Sequence, residues 1–99
     1  MAAYVIVNVE VTDPAKFAEY GRGVPATVEK FSGRYLVRGG TVHPVEGEWP
    51  LKRVVILEFA SIEAARRWYD SADYAPLLKM RLESTRSTMV FVEGYAPTV

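Results

Sequence analysis

The chain opens on a period of two. From Ala3 to Val11, residues Val5, Val7, Val9 and Val11 fall on one face of an extended segment, and Tyr4, Ile6, Asn8 and Glu10 fall on the other. The period then lengthens. Asp13 followed by Pro14 is the pair expected at the N-cap and first position of a helix, and Phe17, Tyr20, Val24, Val28 and Phe31 recur every three or four residues as one apolar stripe. Pro25 interrupts that stripe after Gly21 and Gly23, which predicts a kink or a break into two shorter helices, and Gly33 reads as the stop. Arg34 to Arg38 is a second strand. Gly39-Gly40 then predicts a bulge or turn, after which Thr41 to Val45 continues extended and Glu46 to Pro50 forms a loop. Lys52 to Phe59 is the strongest strand signal, with Val54, Ile56 and Glu58 on one face and Val55, Leu57 and Phe59 on the other. Ser61 caps a helix that buries Ile62, Ala65, Trp68 and Tyr69 and is interrupted at Asp70-Ser71. Asp73 and Pro76 start a further turn or two through Leu77, Leu78, Met80 and Leu82, and Ser87 to Tyr95 is the last strand.

The order βαββαβ predicts an α+β, ferredoxin-like sandwich: one domain over residues 1–99, with two helices on one face of a four-stranded antiparallel sheet. The other face would hold Tyr4, Ile6, Leu36, Val54, Ile56, Met89 and Phe91, an apolar surface too large for a monomer to leave in water. A homodimer formed sheet to sheet is therefore expected.

Composition narrows the function classes. The 99 residues carry 12 basic and 12 acidic side chains, so no overall field draws the chain to nucleic acid or an anionic membrane. The third strand offers only Phe59 as a stacking platform, and no nucleic-acid partner is expected. No run approaches the roughly 20 apolar residues of a membrane span and the start lacks a basic leader, which predicts a cytoplasmic protein with no membrane partner. The absence of cysteine and the single histidine remove thiolate and most metal chemistry, so neither a metal nor another cofactor is expected. The esterase elbow, the P-loop and the dinucleotide fingerprint are absent as well.

Candidate chemistry rests on three sets of residues. Glu58 follows Val54 and Ile56 on one strand face, where burial would raise its pKa unless Arg34, Arg38 or Arg81 compensates. It reads either as a general base or ligand anchor, or as half of a structural ion pair, and Asn8 could extend the same polar cluster. Tyr20, Trp68, Tyr69 and Tyr74 form an aromatic set on helical segments, suited to a flat organic ligand or to plain core packing. His43 could titrate near neutral pH as a ligand contact or could be an exposed strand residue, and Trp49 could anchor a partner subunit.

Three stretches then occur in order: EKFSGRYLVRGG (Glu29 to Gly40), VEGEWPLKRVVILEF (Val45 to Phe59) and RRWYDSADYAPLLKMR (Arg66 to Arg81). Over nearly the whole length the chain resembles the domain of unknown function 1330 family, within the dimeric α+β barrel superfamily. The resemblance implies two ferredoxin-like subunits packed sheet against sheet. Superfamily members include cofactor-free monooxygenases, haem-degrading enzymes, isomerases and ligand-sensing domains, so the resemblance implies a fold and a dimer without choosing a reaction. Matched positions include Tyr20, Pro25, Arg34, Gly39, Arg53, Glu58, Trp68, Tyr69, Tyr74 and Arg81, none with a catalytic role to transfer. Two function classes follow. One is a cofactor-independent oxygenase or isomerase acting on a small hydrophobic or aromatic organic acid, with Arg34 or another arginine holding the anion, Glu58 or Tyr20 moving a proton, and Trp68, Tyr69, Tyr74, Arg81, Asn8 and His43 contacting the ligand. The other is a non-catalytic dimeric module that binds a small ligand.

Overall fold

In the structure, a computed structural model that describes residues 1–49 and 53–95, β1 (Ala3–Val11) lies inside a four-stranded antiparallel sheet. It pairs with β3 (Arg53–Phe59) on one side and β4 (Thr85–Glu93) on the other, and β2 (Arg34–Gly40) closes the β3 edge, giving the order β2-β3-β1-β4. Three helices, α1 (Pro14–Lys30), α2 (Ile62–Tyr69) and α3 (Ala75–Ser84), complete a ferredoxin-like α+β fold. The segment expected to add a turn or two is thus a full helix that runs into β4. Ala3, Val5, Val7 and Val9 of β1 and Leu57 and Phe59 of β3 are buried with Tyr20, Val24 and Val28 of α1 and Ala65 and Trp68 of α2. The period-two face of the sheet and the helical stripe therefore meet in one core.

Asp13 caps α1 as its sequence implies, accepting from the Lys16 N–H at 3.2 Å. The break expected at Pro25 does not occur. Proline removes the N–H that would bond the Gly21 carbonyl four residues back, but Arg38 Nη2 reaches that oxygen at 2.6 Å from β2, so the helix runs on with the orphan satisfied. The stop also differs. Ser32, not Gly33, takes the left-handed conformation (φ 61°), with Ser32 N–H bonding Glu29 O and Gly33 N–H bonding Val28 O, a Schellman closure. Gly33 is required for a different reason: a Cβ there would lie 2.5 Å from the Phe59 ring.

β2 continues to Gly40 through two register shifts against β3, one between Tyr35 and Val37 and one between Arg38 and Gly40, where Gly39 has φ +71°. The extended stretch expected over Thr41 to Val45 is not a strand. Pro50 and Lys52, assigned to the loop and to the start of the third strand, lie outside the described residues. The last strand starts two residues earlier than its apolar alternation suggests, at Thr85.

One face assignment is corrected. Phe91 pairs with Val5 and Met89 with Val7, so both point under the helices, whereas Val90 and Val92 pair with Ile6 and Tyr4 on the open face. The open surface is therefore Tyr4, Ile6, Val54 and Ile56 with Val90, Val92 and Val37, which pairs with Ile56, whereas Leu36, expected there, is the residue the bulge leaves without a partner; Val90 is 53% and Val92 43% exposed. It remains apolar and contiguous. Among the described residues no helix is long and apolar enough to cross a membrane.

Candidate functional site

The helix-covered side of the sheet holds a cavity of about 50 Å³. Its walls are Val7 and Val9 of β1, Val24 of α1, Val55 and Leu57 of β3 and Met89 of β4, with Phe17, Tyr20, Tyr35 and Trp68 supplying rings. It is bounded by three arginines, Arg38, Arg53 and Arg81, and none of the described residues lining it is a carboxylate or a histidine. The fully or largely buried Trp68 and Arg81 mark its inner end, and the exposed Arg38 and half-buried Arg53 and Tyr35 mark its mouth, between α1 and the β2–β3 edge.

Arg81 is the unusual group. It is 4% exposed, and its guanidinium donates from Nε to the Tyr74 hydroxyl at 3.2 Å and from Nη1 to Ser87 Oγ at 2.6 Å. Among the described residues no carboxylate lies within 4 Å of it. Arginine cannot shed its proton to escape burial as lysine can, so the cavity carries a permanent positive charge that none of the described residues compensates. The Tyr74 hydroxyl also meets the Tyr20 hydroxyl at 2.9 Å. Burial above all, then the neighbouring Tyr74, pushes the Tyr20 phenol far above its ordinary value, and burial likewise raises Tyr35 against the opposing charge of Arg38. Both phenols stay protonated, so they can donate a hydrogen bond but are not bases near neutral pH. Trp68 Nε1 donates to Thr27 Oγ1 at 3.0 Å, which itself donates to the Val24 carbonyl at 2.7 Å, and this fixes the indole as a wall.

The structure brings together Tyr20, Trp68 and Arg81 from the predicted set, with the fully buried Tyr74 behind them. Tyr69 lies outside, packed edge-on to Phe91 at 6.2 Å beside a separate shallow depression with Arg66. Glu58 and Arg34 are on the opposite face of the sheet, joined to each other at 2.7 Å. The hydrogen bond from Arg34 holds the Glu58 carboxyl below its ordinary value, outweighing partial burial, with the Arg34 charge and Tyr4 adding to the lowering. Asn8 is on that same open face, its Oδ1 shielded and without a hydrogen-bond partner among the described residues. His43 is exposed in the segment after β2, away from the cavity, and so is Trp49.

Sequence reasoning missed Arg38, Arg53 and Tyr35 as cavity residues. For Arg53 the signal was present, since it precedes Val55 by two and pairs with the buried Val9. For Arg38 it was not: simple alternation puts Arg34, Leu36 and Arg38 on one face, but the bulge after Tyr35 shifts Arg38 opposite Val55, on the helix side.

Residues 2–95 match the family described as Domain of unknown function (DUF1330), and the chain belongs to that family. No curated protein matches it. Among solved structures it is similar to the RPA0582 protein of unknown function from Rhodopseudomonas palustris, at 17% identity and TM-score 0.77 over 97% of this chain and 84% of that one. It is also similar to a dimeric ferredoxin-like protein of unknown function from Jannaschia sp. CCS1, at 14% identity and TM-score 0.73 over 95% and 100% of the two chains. A third similar structure is SnoaB, a cofactor-independent oxygenase from Streptomyces nogalater, at 13% identity and TM-score 0.62 over 97% and 95%. At such identities the likeness establishes the fold and not the chemistry.

Proposed function

We propose that the protein is a homodimer that binds a small organic acid in the arginine-lined cavity of each subunit. One observation carries the reading: a buried arginine with no carboxylate partner among the described residues, Arg81, at the inner end of a cavity walled by apolar and aromatic side chains. A carboxylate entering the cavity would supply the missing counter-charge through a charge-assisted, bidentate-capable contact. At about 50 Å³ the space suits an acid head and a short carbon chain, since an apolar cavity of about 150 Å³ is what admits a benzene ring. An aromatic acid would keep its ring towards Phe17 and Tyr35 at the mouth.

A dimer is supported by the open apolar face, which the helices leave uncovered. Jannaschia sp. CCS1 supplies a dimeric neighbour of the same fold. Replacing Ile56 with Asp would place an unpaired charge in that contact, and light scattering should report monomer or aggregate instead of dimer. A wild-type monomer at micromolar concentration overturns this part.

A second, catalytic reading is favoured by the fold shared with SnoaB, a cofactor-independent oxygenase. Three cations facing a ligand would stabilise its enolate or phenolate form, the species that reacts without a cofactor. The described residues of the cavity supply no base, because Tyr20 and Tyr35 are held protonated and Glu58 lies across the sheet, so the binding reading is preferred. Calorimetric titration with a panel of small carboxylic acids tests it: saturable binding that Arg81→Met abolishes is expected, and a panel without a binder refutes it. Oxygen uptake or product formation with a bound acid would move the protein to the catalytic class.

A further inference from the structure

The mouth of the cavity carries a second cationic group, and neither of its members is neutralised by a carboxylate among the described residues. Arg38 Nη2 donates to Gly21 O at 2.6 Å, and its guanidinium carbon lies 4.9 Å from the centre of the Tyr35 ring. The Arg53 guanidinium carbon lies 5.3 Å from the centre of the Phe17 ring. It also packs onto Gly39, where a Cβ would come within 2.6 Å of that carbon. Rings and a bare backbone therefore hold two guanidinium groups where carboxylates would ordinarily hold them. Among the described residues neither has a carboxylate within 4 Å, and none of them supplies an acceptor to the shielded Arg53 Nε.

We propose that the ligand is a short dicarboxylate, with one carboxylate on Arg81 at the inner end and the other on Arg38 and Arg53 at the mouth. This rests on the organic-acid reading above and specifies its substrate class. A monoanion on Arg81 would leave the mouth pair uncompensated, whereas a dianion answers both ends of a site that holds three fixed positive charges and no negative one among its described residues. The carbon chain between the carboxylates lies against Tyr20, Val24 and Val55, and the volume of about 50 Å³ restricts it to a few carbons.

The test is calorimetric titration of the full chain with malonate, succinate, glutarate and adipate, and with propionate, butyrate and valerate as singly charged counterparts. One dicarboxylate is expected to bind at least about ten-fold more tightly than the monocarboxylate of matching length, the worth of one charge-assisted contact. Arg38→Gln and Arg53→Gln should each lower the affinity for the dicarboxylate by more than that for the monocarboxylate of matching length, and a cooperative thermal melt followed by circular dichroism shows that each variant is folded. Equal affinity for the two series, with mouth variants silent, overturns the dicarboxylate assignment and leaves the organic-acid reading standing. Absence of binding by both series overturns the two together.

Discussion

Replacing Arg81 with Met separates a binding arginine from a structural one. In the free protein the buried guanidinium is held by two hydrogen bonds, to Tyr74 at 3.2 Å and Ser87 at 2.6 Å. Hydrogen bonds to a charged group are worth about 1.5–3 kcal/mol each, so the pair contributes about 3–6 kcal/mol. Taking one ion out of water costs several kcal/mol, and no carboxylate offsets it. The two sums nearly cancel. Methionine replaces the aliphatic stem of the arginine, adapts to an irregular wall and carries no charge to desolvate. The hydroxyls left behind keep partners, Tyr74 with Tyr20 at 2.9 Å and Ser87 with Thr85 at 3.1 Å. Arg81→Met should therefore change stability by about 1 kcal/mol or less, which in a chain of this length is a Tm change within about 8 °C. Ligand tells the other half. An acid at 100 times its Kd raises wild-type stability by about 2.7 kcal/mol, and the variant should gain nothing. Thermal melts at one fixed protomer concentration, with and without acid, read both quantities. A ligand-free Tm lowered by more than about 15 °C, near the 3–5 kcal/mol of a broken buried charge contact, would show that Arg81 holds the fold and refute the reasoning.

Gly33→Ala forces a Cβ to 2.5 Å from Phe59, and the overpacking should lower stability by about 1–3 kcal/mol in a denaturant melt, where an unchanged midpoint would show that the ring yields freely. Pro25→Ala restores the N–H that Gly21 O lacks, so the Tm should rise by the equivalent of up to about 3 kcal/mol while acid affinity falls as Arg38 loses its anchor; a rise with affinity unchanged would mean that Arg38 is positioned without it. Glu58→Gln should lower the Tm at neutral pH. Because Arg34 depresses the folded-state pKa of Glu58, its stabilisation is present above the ordinary value of 4.5 and is lost as pH falls through the depressed one, so wild type and variant should converge in acid, and a gap that persists there refutes the ion-pair origin.

The fold was legible because its strongest signals are long and redundant. Nine residues of alternation in β1 and the apolar stripe of Phe17, Tyr20, Val24, Val28 and Phe31 along α1 and its C-cap each specify one buried face, and the two faces can only meet each other. β4 was harder to orient. Both of its faces are apolar, Met89 and Phe91 on one and Val90 and Val92 on the other, so alternation alone does not say which faces the helices. Pairing with β1 decides it, because Val5 and Val7 sit opposite Phe91 and Met89. α3 was cut short for a related reason: its buried side includes Arg81 and Ser84, which a hydrophobic stripe does not count.

The site was legible only in the residues that obey local rules. Tyr20 and Trp68 follow helical spacing into the cavity, and Arg53 follows strand spacing, whereas Arg38 arrives there through two departures from regular structure that answer one another. A proline inside a helix leaves the Gly21 carbonyl without its donor, and a bulge in an edge strand turns an arginine from the open face to the helix face. Either one alone would be a cost, an orphan acceptor in one case and a misplaced cation in the other. Joined at 2.6 Å they satisfy each other, and the arginine is left pinned at the mouth of a cavity that has no negative charge among its described residues. Departures of this kind persist where a site depends on them, and here both departures converge on the one cation that regular alternation would have turned to the opposite face of the sheet.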